Sequence, residues 1–394
     1  MKILRVISSM NPVHGGPSQG IRNSVPVLEQ LGVHNEVLSF DSPDAPYLGS
    51  DPFIVHAIGP AKGPYAYCSE LKRWLLAHLH RFDAVIIHGL WLYNSYGTYQ
   101  AIKAYKTRNG TAPKLFIMPH GMLDPYFQKS PGRRLKAIRN WLFWRLFEQH
   151  AVNNADGVLF TCEQELLLAR ETFAFYSPKR ELNIGYGIQN PPPYSITLTH
   201  DFHAVCPVKF DQPYWLFLSR IHEKKGVDML IKAYQKLLHE AGTLPVLVIA
   251  GPGLDTAFGK QMIALAQSTS QIVFAGMLTG GAKWGALYGC EAFILPSHQE
   301  NFGIAIVEAM ACAKPVIITN KVNIWREIIQ GGGGLVSDDT QQAVYEMLRQ
   351  WLSSTGRDKE NAALAAKNTF EAKFDIGKAA GKLFNTLKSI DYGI

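Results

Sequence analysis

The sequence predicts an α/β protein of two parallel-sheet domains, and three observations predict it. Short apolar runs of strand type alternate with segments of helical length, and no hairpin turn joins two runs. At 394 residues the chain is long for one domain. A stretch rich in Pro, Gly and polar residues, without helical period, separates two halves of similar plan.

In the first half the strand-like runs are "KILRVIS", "NEVLSF", "DAVIIHG", "KLFIMPHG" and "DGVLFT". In the second they are "YWLFLS", "PVLVIAG", "QIVFAG", "EAFILP" and "PVIITN". These place a first domain over residues 1–190, a linker at 191–213 and a second domain over 214–370. The last segment, 371–394, contains "GKAAGKLFNTLKSI", whose helical spacing suits a helix crossing back to brace the first domain. Ligands of open parallel sheets bind outside the carboxyl ends of the strands, so two such domains face to face would hold a site in their cleft.

A 47% apolar composition supports ordinary cores, and no stretch approaches the roughly 18 uninterrupted apolar residues of a membrane-spanning helix. The opening "MKILRVISSM" is too short in its apolar part, and too polar at its end, for a signal peptide; it reads as a first buried strand. The five cysteines, Cys68, Cys162, Cys206, Cys290 and Cys312, are scattered without a CxxC pair. That argues against a disulfide framework and a zinc site and for a cytoplasmic setting. The net charge of +7 suits anionic substrates such as phosphates, or an acidic membrane face, and does not call for nucleic acid.

The second half carries the strongest chemistry. "SRIHEKKG" puts Arg220, Lys224 and Lys225 at a strand-to-helix junction, with Gly226 near the start of the next helix. Such cations beside a helix N-terminus make a phosphate site without a metal; a solvated basic loop is the plain alternative. "IAGPGL", with Gly251 and Gly253, and "FAGML" are glycine turns after strands, where a flat ring or a phosphate can approach the backbone. In "SHQENFGIAIVEAMACAKPVI", Glu300 sits in a loop after a strand ended by Pro296. Glu308 lies about a turn into the helix marked by Ile304, Val307, Met310 and Ala311. Two acids so placed suit sugar hydroxyls, a metal or catalysis.

In the first half, Gly15 and Gly16 of "NPVHGGPSQG" either offer amides to an anion or make a tight turn. His120 of "MPHGMLDP" ends a strand. His88, Trp91, Tyr93 and Asn94 of "IIHGLWLYNSYG" are similar in position and either line a site or pack.

In order and spacing, "SRIHEKKG", "IAGPG", "FAGML" and "PSHQENFGIAIVEAMACAKPVI" resemble the second domain of family 4 glycosyltransferases. These are retaining, nucleotide-sugar-dependent enzymes of the GT-B fold, two Rossmann-like domains facing across a cleft. The resemblance covers most of residues 214–330, and its most specific part is the glutamate pair with "NFG", the EX7E motif. It implies that Arg220 and Lys225 clamp the donor diphosphate and that Glu300 contacts sugar hydroxyls. The backbone amides of Phe302, Gly303 and Ile304 would lie near sugar and phosphate, with Asn301 and the glycines Gly251 and Gly253 in the same donor site. Glu308 would hold the ribose hydroxyls and the backbone at Met277 would meet the base. In the first half, the resemblance implies that Gly15 and Gly16 lie near the donor phosphate and His120 beside the transferred sugar. By their position, His88, Trp91, Tyr93, Asn94 and Asp124 are the candidates for the acceptor side. "PHGMLDP" resembles a bacterial polysaccharide-assembly subgroup, which implies a glycan or lipid-linked acceptor. Base contact through backbone leaves little side-chain record of the donor; UDP-glucose is expected first and GDP-mannose second.

One departure is that "LGVHNEVLSF" lacks the Gly-His pair common there in relatives, which touches packing more than chemistry. There is no DxD motif to hold a divalent ion, so the expected clamp is metal-independent, and no further cofactor is expected. No GxGxxG follows the first strand, which argues against a nicotinamide dehydrogenase. A nucleotide-sugar epimerase of the same architecture and a non-catalytic sugar-nucleotide-binding subunit of a polysaccharide complex are the alternatives.

Residues 129–150, "KSPGRRLKAIRNWLFWRLFEQH", read as a basic, aromatic helix. At 100° per residue Leu135, Ile138, Leu142 and Leu146 share one stripe, flanked by Arg133, Lys136 and Arg139 on one side and by Arg134 and Arg145 on the other. Phe143, Trp144 and Phe147 fall outside the stripe. Such a helix is either buried in a large domain or lies on a membrane face, the second giving a peripheral location on the inner plasma membrane.

Overall fold

The computed structural model describes residues 1–129 and 134–392. The chain divides into two compact units, Met1–Gly187 with Ile376–Ile394, and Ile188–Asp375.

The first unit holds β1 (Lys2–Ile7), β2 (His34–Ser39), β3 (Ile54–Ala57), β4 (Ala84–His88), β5 (Lys114–Met118), β6 (Gly157–Phe160) and β7 (Glu181–Asn183). They form one sheet in the order β3-β2-β1-β4-β5-β6-β7 with every pair parallel. The second unit holds β8 (Tyr214–Leu218), β9 (Val246–Ala250), β10 (Ile272–Gly276), β11 (Ala292–Leu295), β12 (Val316–Thr319) and β13 (Gly334–Ser337). Their order is β10-β9-β8-β11-β12-β13, again all parallel. Both are Rossmann-like sheets. Strand order reverses at β1/β4 in one and at β8/β11 in the other, and a crevice opens outside the carboxyl ends of strands at such a switch point.

Side-chain alternation sorts the first unit's core. Leu4 and Val6 of β1 join one face, with Val85, Ile87 and Trp144. Ile3 joins the opposite face with Leu28 and with Ala380, Leu383 and Leu387 of the last helix, Ile376–Tyr392. Each such side chain, fully buried, contributes about 1.5–3 kcal/mol. The helix expected within 371–394 thus begins at Ile376, preceded by a turn of π-helix, Phe370–Phe374.

Three strands escape the apolar-run reading: β3 (IVHA), β7 (ELN) and β13 (GLVS). All are sheet edges of four residues or fewer and none contains a buried residue. An edge strand needs no continuous apolar run.

The stretch expected as a linker, 191–213, contains the helix Ile196–Val205 and lies in the second unit. Phe202 is buried against Tyr214, with ring centroids 5.2 Å apart. The helix lies so close to Gly280–Gly289 that a Cβ on Gly285 would stand 1.9 Å from the Leu198 carbonyl oxygen. Pro and polar residues around it hide a short helix that packs through small residues.

The basic aromatic segment is not one uninterrupted helix. Its described parts are Tyr126–Lys129, Arg134–Phe143, a π-turn at Trp144–Glu148, and Gln149–Asn154; Arg133 lies outside the described residues. Trp144 is fully buried, stacked 4.8 Å from Phe173, with its Nε1 donating to the Ala174 carbonyl. The aliphatic stripe points outward: Leu135 is 84%, Ile138 57%, Leu142 48% and Leu146 60% exposed. Among the described residues no helix is long and apolar enough to cross a membrane.

Candidate active site

In the second unit the β8 and β11 loops are bound to each other at the switch point. The Lys224 carbonyl accepts from His298 N at 2.8 Å, and Lys224 Nζ donates to Gln299 Oε1 at 2.8 Å. Gly226 makes the approach possible. Its φ is +64°, and a Cβ there would stand 2.0 Å from the Pro296 carbonyl oxygen. Only glycine accepts both conditions.

Between these loops Lys225, 8% exposed, forms an ion pair with Glu300. Glu300 is locked at the backbone: its N–H donates to the Lys321 carbonyl and its carbonyl accepts from Asn323 N, both at 3.0 Å. Its Oε1 accepts from Asn301 N at 3.1 Å. Arg220 is exposed in the same β8 loop. His222 Nδ1 accepts from Lys224 N at 3.1 Å, and burial together with Arg220 holds its pKa below the usual imidazole value.

Gly303, at φ +73°, turns the chain into the helix Ile304–Ala311, and no side chain caps that helix. Its first amides therefore lack intrahelical partners and carry the positive end of the helix dipole. The Phe302 side chain is buried against Phe374, 5.6 Å between centroids, so only its backbone faces the loop chemistry. Glu308, on this helix, pairs with Lys283 Nζ at 2.8 Å. Met277 follows β10 and is exposed. Gly251 and Gly253 have a packing reason of their own: Cβ atoms there would meet the Ser219 carbonyl at 1.8 Å and the Ile221 carbonyl at 2.8 Å. This half-site offers cations and helix amides to a dianion, and carboxylates to hydroxyls.

In the first unit a pocket opens at the β1/β4 switch point, lined by Ser9, Gly15, Ser18, His88, Gly89 and Asn94 among others. Gly15, at φ +76°, precedes Gly16, the first residue of the helix Gly16–Gln30, and no heavy atom lies within 4 Å of where their Cβ atoms would be. Gly15 lines the pocket, but its N–H already donates to the Pro12 carbonyl at 3.2 Å. Asp41 holds Ser9 of the lining, accepting from its Oγ at 2.5 Å and from Met10 N at 2.7 Å.

His120 has φ +52°, uncommon for a non-glycine residue. Buried Glu165 pins the turn, accepting from Gly121 N at 2.5 Å and Thr161 N at 2.8 Å. His120 Nε2 lies 2.9 Å from His88 Nδ1. Burial, and then the charge of Arg5, push the His120 pKa down to about 3; burial first also holds His88 well below its usual value.

The other acceptor-side candidates divide. His88 and Asn94 line the pocket, with Asn94 Nδ2 donating to the His88 carbonyl at 3.0 Å. Trp91 and Tyr93 pack instead: Trp91 lies 5.5 Å from Phe173, and Tyr93 4.7 Å from Tyr67, between ring centroids. Asp124 caps the turn Tyr126–Lys129, accepting from Tyr126 N at 2.8 Å.

Four residues escape a reading of motifs: Arg5, Glu148, Glu165 and Lys283. Glu148, fully buried, accepts from Trp91 N at 2.8 Å and Ser95 Oγ at 2.6 Å, and burial raises its pKa to about 7. For Arg5 a signal existed, a cation inside the apolar run "KILRVI".

Two family models match the chain, "Glycosyl transferase 4-like domain" at residues 15–184 and "Glycosyl transferases group 1" at 201–369. A D-inositol 3-phosphate glycosyltransferase from Kineococcus radiotolerans is 29% identical over 177 residues, 41% of each protein. Alignments with the first curated relatives cover only 38%, 36% and 41% of those proteins' own length. Among solved structures, sucrose-phosphate synthase from Thermosynechococcus elongatus has a TM-score of 0.76 at 16% identity, covering 100% of both chains. HepE from Anabaena, solved with UDP and glucose, has a TM-score of 0.72 at 17% identity, covering 99% of this chain and 100% of its own. With both its domains matched and the same fold in these structures, the chain belongs to the family 4-type glycosyltransferases of the GT-B fold.

Proposed function

We propose that the chain is a retaining hexosyltransferase that moves glucose from a nucleoside diphosphate sugar, UDP before GDP, to a glycan or lipid-linked hydroxyl in envelope or exopolysaccharide assembly. The observation that carries this reading is the Lys225–Glu300 pair beside exposed Arg220 and the uncapped helix at Ile304. A diphosphate finds two cations and a helix dipole there, and the sugar and ribose find Glu300 and Glu308. HepE's complex with UDP and glucose is what favours UDP-glucose.

In this reading the bond from the anomeric carbon to the diphosphate oxygen breaks, and its electron pair goes to the phosphate. Arg220, Lys225 and the amides stabilise that charge, with no metal required. The acceptor oxygen attacks the face that the phosphate leaves, and its proton passes to the departing phosphate oxygen. A covalent intermediate on Glu300 is disfavoured because the family resemblance places neither glutamate as a nucleophile, and an isolated sugar adduct on Glu300 would overturn same-face attack. Thermal unfolding in EDTA with excess UDP, GDP or ADP in turn tests the donor site. A nucleotide at about 100 times its dissociation constant adds roughly 2.7 kcal/mol. No shift with any of them at millimolar concentration would overturn the reading. Conversion of donor without acceptor would point to an epimerase, and binding without transfer to a non-catalytic subunit.

We further propose peripheral contact with an anionic membrane face. The outward stripe of Leu135, Ile138, Leu142 and Leu146, with exposed Trp141, is interleaved with exposed Arg134, Lys136, Arg139 and Arg145. Apolar side chains flanked by cations complement an anionic lipid surface. Five free, buried cysteines suit the reducing, cytoplasmic side.

A further inference from the structure

Arg5 stands on the β1 face that packs against the last helix, and it is 2% exposed. Its Nε donates to Asn35 Oδ1 at 2.9 Å. The Asn35 amide is oriented by its own Nδ2, which donates to the Val33 carbonyl at 2.8 Å. Arg5 Nη1 lies 3.3 Å from His88 Nε2. Neither of these partners is an acid. Burial lowers its pKa to about 10, which leaves it charged at neutral pH. Arg5, His88 and His120 line one cavity together with Tyr186.

A guanidinium has donors and no acceptor. His88 Nε2 must therefore face it with a lone pair. A buried, neutral His88 then carries its proton on Nδ1, which lies 2.9 Å from His120 Nε2. That nitrogen must accept, so neutral His120 carries its proton on Nδ1. We propose that Arg5 and His88 are positioning residues that fix His120 as an Nδ1–H donor to an oxygen of the substrate. The chain of donors runs one way from Arg5 and ends at His120. His120 then gives a hydrogen bond and takes no proton from the acceptor. This last step rests on the glycosyl-transfer reading; the tautomers do not.

The test is a two-bond proton–nitrogen correlation spectrum of the full chain, labelled with nitrogen-15 in histidine, at pH 7. His120→Gln and His88→Gln serve only to assign the two rings. The expected result is both rings neutral, each with Nδ1 protonated and Nε2 bare. Arg5→Lys keeps a donor-only group and should preserve the pattern. Arg5→Met frees His88 to adopt the Nε2–H form common in water, which reverses the pair and leaves His120 with Nε2–H. Transfer by Arg5→Met should then fall about tenfold or more in kcat with donor KM little changed, the loss of one hydrogen bond at the reacting centre, and Arg5→Lys should restore it. A cationic ring, or Nε2–H on either histidine of the unsubstituted protein, overturns the proposal without any variant. An unchanged pattern in folded Arg5→Met overturns it as well. If the spectra agree but no transfer is found with any donor, the glycosyl-transfer reading fails and the tautomer assignment stands.

Discussion

Lys225 and Glu300, 75 residues apart in the chain, meet as an ion pair where the loops after two adjacent strands converge. In the proposed reading a diphosphate competes with Glu300 for Lys225.

Glu300→Gln should separate binding from transfer. It leaves a largely buried ammonium without a counter-charge, at a cost of about 2 kcal/mol once partial solvent exposure is discounted. The freed ammonium should hold UDP at least as tightly as before, by calorimetry. Transfer should fall about a hundredfold or more, since the carboxylate no longer orients the sugar. Weaker UDP binding in this variant would sink the competition argument.

Gly226→Ala tests the meeting of the two loops. Positive φ and a Cβ 2.0 Å from the Pro296 carbonyl together should cost about 2 kcal/mol or more, read from chemical unfolding. A neutral result would mean that the loops separate readily.

Glu148 should make stability fall as pH rises. Its folded pKa, raised to about 7 by burial, exceeds the ordinary glutamate value, so the folded state binds more protons than the unfolded state between about 4.5 and 7. Stability is lost through that window, by about 3 kcal/mol at most, and is flat above it. Glu148→Gln should abolish this component. Urea midpoints at pH 5 and pH 8 for both proteins decide it.

The basic helix allows a paired comparison. Leu142→Asp with Leu146→Asp should abolish sedimentation with anionic vesicles and leave the melting temperature almost unchanged, because both residues are about half exposed. Zwitterionic vesicles or high salt should weaken binding of the unsubstituted protein. Trp144→Ala, two residues from each site, should instead cost about 3–5 kcal/mol. Equal binding to both vesicle types would remove the charge argument.

Ten of the thirteen strands were legible in the sequence, nine of them interior to a parallel sheet, where burial on both faces favours apolar runs, and the edge strand β10 through its own run "IVFAG". The two charged loops of the second unit were legible for a related reason: cations, carboxylates and a tight glycine turn that gather at one strand end lie close in sequence, as in 219–226 and 297–308. Partners distant in the chain leave no such record. Lys283 reaches Glu308 from another helix, Glu165 steadies the turn at His120 from 45 residues away, and Glu148, at the end of the π-turn, lies under Trp91. The aliphatic stripe was found in the sequence, but its direction was set by the burial of Trp144 against Phe173. The sequence by itself determined the two parallel-sheet domains and the residue types of the two charged loops, since periodicity and turn chemistry are local. Tertiary structure alone decided the partner of each charge, the orientation of each ring and the exposed face of the basic helix, because burial and hydrogen-bond geometry depend on residues that meet only when the chain folds.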